Sequence, residues 1–330
     1  CESALPRLSP NTPHYAEFLE FKSRSLYCMG RALWRQGSLD EATLYLEQAA
    51  NAARSGGFRS LESLVLRNLG AARFHAGDIN TAIRLTEESL SLCRELGDES
   101  GAGAALNNLA DENRFVGRYR EARDLCSEAL PLLERAGDAW AIVIGRTNLA
   151  ILDMYLGNLD EARTGVLIGL EDASRIGQKS MISLLEQVHG FIAVREGKLG
   201  EAIPRFERAL DFAAEIGNPS REAETRSSLA ECLMLEGRLE EAVKVLEPSL
   251  ERFLAAKLEG AEEPFSALET AQRVLKAADD RRWKTVARAG FEALMANASR
   301  IHDEETRREF LEGIPHHARL VLANAEISRE

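Results

Sequence analysis

The sequence predicts an all-α protein, a solenoid of stacked helical hairpins, and three observations carry that prediction. Glycine returns every 40 residues at Gly37, Gly77, Gly117, Gly157, Gly197 and Gly237, and alanine follows each at Ala42, Ala82, Ala122, Ala162, Ala202 and Ala242. A second glycine column at Gly57, Gly97, Gly137, Gly177 and Gly217 falls midway, so each repeat holds two segments and two breaks. Inside the segments, apolar residues recur at three- and four-residue spacing, and no alternating strand pattern of useful length occurs. Self-similarity at such a period marks an array in which each unit buries its apolar face only against its neighbours.

From the amino terminus, "SPNTPHY" is a proline-rich lead within residues 1–17, with Thr12 expected as the cap and Pro13 as the first helical residue. Six 40-residue hairpins are expected over 18–258. In the second of them, Leu61, Leu64, Val65, Leu69, Ala72 and Phe74 form one amphipathic helix, and Ile79, Ala82, Ile83, Leu85, Leu90 and Leu92 form its partner. Gly77 takes a left-handed backbone that ends the first helix and Asp78 caps the second; Gly97 and Asp98 do the same before the next hairpin. A small-residue column at Gly30, Gly70, Ala110, Ala150, Gly190 and Ala230 lets paired helices approach closely, as does the alanine column on the second helices. Residues 259–301 read as a degenerate seventh hairpin lacking both glycine columns, as expected of a terminal unit with one unpartnered side. Residues 302–330 read as a helix, a turn at Gly313 to Pro315, and a closing helix.

The order of leucine, small residue, glycine and alanine in "NLGAARFHAGDINTA" resembles the tetratricopeptide repeat, with six copies in phase. The resemblance implies a right-handed superhelical solenoid ended by a C-terminal capping helix. The usual unit of that family is about 34 residues, so each helix here should be longer by about three, close to one turn.

The tail adds a narrower likeness. "LEGAEEP" at 258–264, "RVLKAADD", and then Arg300, Ile301, Asp303, Arg307, Arg308, Phe310, Leu311, Glu312, Ile314, Pro315 and His317 resemble the end of large bacterial regulators. Those proteins place an effector or DNA-binding module first, a STAND-type ATPase in the middle and a tetratricopeptide sensor last; the maltose-regulon activator type is a more distant relative. Gly313 departs from the pattern, where asparagine is common. The resemblance implies an upstream ATPase in the same polypeptide, held closed by the array until an inducer binds.

Composition narrows the function from another side. A net charge of −12 argues against nucleic-acid binding through this region, which would need a basic stripe. No apolar run approaches the roughly 18 uncharged residues of a membrane span, and the first residues lack the pattern of a secretion signal. Five scattered cysteines with no CxxC or CxxH pair fit reduced thiols in the cytoplasm. The start at Cys1 hints at a piece of something longer.

No catalytic set or cofactor motif emerges. "GQKS" at Gly177 lacks the upstream glycine of a phosphate loop, and Gly101 and Gly103 follow no strand. His316 and His317 are expected to be surface residues pointing in different directions, and the many acidic residues to form solvated helix faces.

What an array offers is surface, and the resemblance implies that first helices line a groove. Groove positions projected on that basis are Tyr27 and Arg31, Arg67 and Ala71, Asn107 and Asp111, Thr147 and Ile151, Gln187 and Phe191, and Ser227 and Glu231. Arg24, Trp34, Arg35, His75, Arg114, Tyr155, Arg195 and Glu224 are neighbours on that side. Arg24, Arg31, Arg35, Arg67 and Arg114 gather in the first three units, whereas Glu224 and Glu231 mark the sixth. An acidic or phosphorylated group of a protein, peptide or small-molecule inducer would be drawn to the amino-terminal half; ordinary solvated faces with internal ion pairs are the alternative. Asn68, Asn108 and Asn148 form a column, and helix-interior asparagine implies a specific hydrogen bond. It would either hold a bound segment or bridge to the neighbouring hairpin, and repeated internal bonding favours the bridge.

Overall fold

The computed structural model describes residues 14–36, 38–258 and 261–329, and no strand occurs among them. The expected Thr12 cap and Pro13 start, together with Gly37, lie outside the described residues. The first helix, α1 (Tyr15–Arg35), is preceded by His14. It is followed by α2 (Leu39–Gly56), α3 (Arg59–His75), α4 (Ile79–Leu96), α5 (Glu99–Phe115), α6 (Tyr119–Ala136), α7 (Ala139–Leu156), α8 (Leu159–Arg175), α9 (Lys179–Arg195), α10 (Leu199–Ile216) and α11 (Pro219–Leu235). The sixth hairpin's second helix is interrupted: α12 (Leu239–Leu246) gives way to one tight turn containing Pro248 and then to α13 (Leu250–Leu254). The chain closes with α14 (Pro264–Ala277), α15 (Trp283–Ala298), α16 (Glu304–Arg308), a π-helical turn over Glu309–Gly313, and α17 (Pro315–Ile327).

The two glycine columns end helices as the sequence predicts. All ten glycines at 57, 77, 97, 117, 137, 157, 177, 197, 217 and 237 have φ between 68° and 88°. At Gly77 the following amide, Asp78 N–H, donates back to Arg73 O at 2.9 Å, which satisfies a carbonyl the helix end would leave open. The Asp78 carboxylate then accepts from Thr81 N–H at 3.3 Å, and Asp98 accepts from Gly101 N–H at 2.9 Å.

The alanine column is the inner seam of the second helices: Ala42, Ala82, Ala122, Ala162, Ala202 and Ala242 are each fully buried. The small-residue column faces it. A Cβ on Gly70 would meet Thr86 Oγ1 at 2.6 Å, and one on Gly190 would meet the Phe206 ring at 2.6 Å, so these helices approach as closely as only glycine allows. Serine hydroxyls repeat the same register across hairpins: Ser23 donates to Ala49 O at 2.8 Å, and Ser183 donates to Ala209 O at 2.8 Å.

The fold divides into two compact units, Cys1–Glu112 and Asn113–Glu330. The first has a core built on Leu46, Ala53, Leu61, Val65, Leu66 and Leu69. The second includes a core of Val143, Ile151, Met154, Val166, Leu185 and Ile192. Each large aliphatic side chain buried in this way stabilises its unit by roughly 1.5–3 kcal/mol. Helix α7 is apolar and long enough to cross a membrane, but 56% of it is buried inside the fold, and its Arg146 and Asp153 are both ion-paired.

Several acidic residues depart from the expectation of solvated faces. Glu62, Glu112, Glu186, Glu224 and Glu269 are buried. Glu186 receives Arg205 and Arg208 from α10, and Glu269 receives Arg273 from its own helix and Arg319 from α17, so burial is offset by paired arginines. Glu112 has no such cation; Thr86 Oγ1 lies 2.9 Å from its Oε1, and burial lifts its carboxyl to about 8.

His316 and His317 correct a second expectation, since both are buried rather than on the surface. They sit in the first turn of α17, which packs on α14, α15 and the π-helical turn. His317 Nδ1 lies 2.6 Å from Phe310 O, and its ring contacts Phe265 and Phe310. Phe310 is itself fully buried and stacks on Phe115 with ring centroids 5.1 Å apart. The tail motif that resembles regulator sequences is therefore a docking device, which places Phe310 and Ile314 against the end of α5 and the turn at Gly117.

Candidate ligand-binding faces

In the amino-terminal unit, α1 and α3 present the expected aromatic and basic residues on one side. Trp34 and His75 bring their rings within 5.6 Å across the two helices. Arg31 lies over the Tyr27 ring and donates to its hydroxyl at 3.3 Å, while Arg67 donates to Gly101 O, also at 3.3 Å. Both guanidiniums thus reach only neutral acceptors and have no carboxylate partner among the described residues. Asn107, on α5 in the same unit, is buried, and its Oδ1 accepts no hydrogen bond. Asp111 is half-buried on the same helix. Arg24 is different: it is exposed and paired with Glu20 at 2.8 Å. The Arg35 side chain is not among those described.

At Asn68 the asparagine column does not make the expected bridge. Asn68 Nδ2 donates to Leu64 O at 2.8 Å, four residues back on its own helix, so it bridges to no neighbouring hairpin. The short side chain reaches its own turn more readily than the next helix, which is the usual competition for helical asparagine. Asn108 is half-buried and Asn148 buried. Gln187 is buried and donates to Ser228 Oγ at 3.3 Å on α11, an internal tie between first helices.

In the carboxy-terminal unit, the corresponding face is already engaged by the chain itself. Arg114, at the end of α5, is clamped between Glu262, at 2.8 Å, and Glu263. Glu224 on α11 accepts the backbone N–H groups of Glu262 and Glu263, each at 3.0 Å. Glu231 pairs with Arg273 on α14. The expected acidic end of the groove is consequently spent on internal bonds, and so is Arg114.

Beside that clamp lies a cavity of about 360 Å³ whose walls include Tyr155, Phe191, Arg195, Glu231, Glu269 and Arg319. Tyr155 is stacked parallel on Tyr119 at 4.7 Å, and exposed Arg195 lies 5.6 Å from the centre of the Tyr155 ring. Burial and the Glu263 carboxylate push the Tyr119 phenol up to about 12 and raise Tyr155 still more firmly, so both are neutral hydrogen-bonding groups. Burial also lifts Glu263 to about 7 against the opposing pull of Arg114. A second recess, of about 500 Å³, lies among α6, α7 and α8 over Leu130, Leu149 and Ile168, and the Arg123–Asp153 ion pair forms part of its rim.

The tetratricopeptide resemblance projected Tyr155, Phe191, Arg195 and Glu231 onto one face, and the fold brings these four around one cavity. It gave no sign of Glu262 and Glu263, which occupy a connecting loop, nor of Tyr119 and Arg319, which come from a second helix and the closing helix. An acidic pair immediately before Pro264, the residue that starts α14, was the available signal.

A tetratricopeptide repeat family model matches residues 60–135 and 180–255. Comparison with curated proteins gives no match. Among solved structures, the apo form of RapI superimposes with a TM-score of 0.59 at 11% identity, over 93% of this chain and 99% of that one. NprR in complex with its cognate peptide NprX gives 0.60 at 15% identity, over 90% and 83% of the two chains. A Signal Transduction ATPase with Numerous Domains from Pyrococcus horikoshii, described as having a tetratricopeptide repeat sensor, gives 0.60 at 14% identity. It is covered over 90% of this chain but 46% of its own, so the present chain spans about half its length. Repeat model and hairpin register converge on one conclusion, that this chain is a solenoid of tetratricopeptide-type helical hairpins, with the repeat matched over residues 60–135 and 180–255.

Proposed function

We propose that this chain is a non-enzymatic, cytoplasmic sensor module of a larger bacterial signal-transduction ATPase or transcriptional regulator. It takes an acidic group of a peptide, protein or small-molecule inducer on the first-helix face of its amino-terminal unit. The observation that carries this reading is the pair Arg31 and Arg67, whose guanidiniums meet only a phenol and a carbonyl while most other arginines described on the first helices are committed to carboxylates. An arginine whose geometry is fixed by neutral partners keeps its charge available for a carboxylate or phosphate. The peptide carried by NprR and the sensor placement in the Pyrococcus ATPase support a binding face and an upstream partner respectively.

The mechanism is a population shift. The array restrains the ATPase in one arrangement, and an inducer that binds the released face more tightly than the docked one moves the equilibrium. Translating the coding sequence upstream of Cys1 is the first test: an in-frame phosphate-binding loop supports the sensor, and an initiator codon close by removes it. A free-standing scaffold joining two proteins is the second reading, favoured by the fold shared along nearly the whole of RapI. It requires no ATPase.

A further inference from the structure

Glu262 and Glu263 are held as an extended peptide would be held. Arg114 on α5 grips both carboxylates, and Glu224 on α11 accepts both backbone amides. Tyr155 on α7 adds a hydrogen bond to Glu263. All three gripping residues lie on first helices, and they recognise two adjacent carboxylates and two N–H groups, features that any acidic segment carries. We infer that this face of the carboxy-terminal unit is a receptor for a peptide segment with two consecutive acidic residues, and that Glu262–Glu263 is its resident, displaceable occupant.

The resident fits incompletely, and this is the argument for displacement. Arg221 approaches Glu224 at 3.7 Å and Glu262 at 3.8 Å, both beyond hydrogen-bond range, and its buried Nη1 has no hydrogen-bond partner. Leaving a buried charged donor unmade is unfavourable. A competing segment with a carboxylate set closer to Arg221 satisfies Arg114 and Arg221 together, and so binds better than the loop does. Desolvation of Glu263, and after it the like charges of Glu262 and Glu224, oppose its ionisation and weaken the resident further. The site lies in the carboxy-terminal unit and stands whether or not Arg31 and Arg67 bind an inducer.

The test uses a fluorescein-labelled peptide, acetyl-Ala-Glu-Glu-Pro-Phe-amide, with fluorescence anisotropy on the full chain. Glu262→Gln with Glu263→Gln removes both carboxylates from Arg114 and so loosens the resident, and the double variant should bind the peptide at least tenfold more tightly than wild type. Adding Arg114→Gln should abolish that binding, and a peptide with glutamine in place of both glutamates should not bind. Equal affinity with and without Arg114, or equal affinity of the two peptides, overturns the inference. Loss of binding in Arg31→Glu, Arg67→Glu would move the site to the other unit and overturn it as well. Hydrogen exchange on wild type covers the case of a misfolded variant: millimolar peptide should accelerate exchange at the Glu262 and Glu263 amides, and unchanged exchange there contradicts the proposal.

Discussion

Replacing Glu112 by glutamine should stabilise the protein at neutral pH by an amount that grows with pH. The carboxyl is 1% exposed, faces Asp111 and Glu87 without a cation, and is held up at about 8 rather than 4.5, chiefly by burial. Thr86 has one hydroxyl hydrogen and two acceptors in range, Ala82 O and Glu112 Oε1, each at 2.9 Å. The geometry resolves if Glu112 is protonated and donates to Thr86, whose own hydrogen goes to Ala82 O. With a folded value above the unfolded one, the fold retains a proton that the unfolded chain loses. Stability from this group is therefore complete below pH 4.5 and falls as pH rises towards 8. At about 1.4 kcal/mol per unit, the loss reaches at most ~3 kcal/mol at pH 7 and ~5 kcal/mol above pH 8. Glutamine is neutral throughout and can donate to Thr86 in the same way. Urea unfolding followed by circular dichroism at pH 4, 7 and 9 should show the Glu112→Gln advantage widening by a few kcal/mol across the series. Parallel stability curves for the two proteins would show that Glu112 is ionised in the fold and refute the shared-proton arrangement.

Other outcomes follow from packing. Gly190→Ala drives a methyl into the buried Phe206 ring and should destabilise by about 1–3 kcal/mol in chemical denaturation. Gly157→Ala meets no atom within 4 Å, so its loss, about 1–2 kcal/mol, should come from φ of +83° alone, and Gly157→Asn should recover part of it. Phe310→Ala removes the ring shared by Phe115, Phe265 and His317 and should destabilise by about 3–5 kcal/mol, with faster hydrogen exchange in the closing helix. Ser183→Ala leaves Ala209 O without its cross-hairpin donor and should lower stability by about 1 kcal/mol.

The repeating part of this fold was legible because stacking demands it. Ala82 and Ala122 are small since a second helix lies against them, and Gly77 is glycine since the chain turns left-handed there, so each requirement returned in register. What escaped was aperiodic. Glu262 meets Arg114 across 148 residues, and no pattern within one unit anticipates that pairing. His316 and His317 were expected on the surface because a lone terminal helix gives no sign of which face it will bury, and Phe310 settles that face. The column favours a bridge from Asn68 to the neighbouring hairpin, yet its amide donates to Leu64 O on its own helix. Tyr155 and Arg195 line one cavity, but the loop and closing helix that wall it are supplied by tertiary packing alone.

The central claim is that Arg31 and Arg67 hold an acidic inducer. Its most direct measurement is a binding screen of acidic peptides and metabolites by calorimetry, comparing wild type with Arg31→Glu, Arg67→Glu and using Arg24→Glu as the control for surface charge. Each lost charge-assisted hydrogen bond is worth about 1.5–3 kcal/mol, so the double reversal should weaken a true inducer more than a hundredfold while Arg24→Glu leaves it within a few fold. Undiminished binding of every ligand by the double variant would contradict the account.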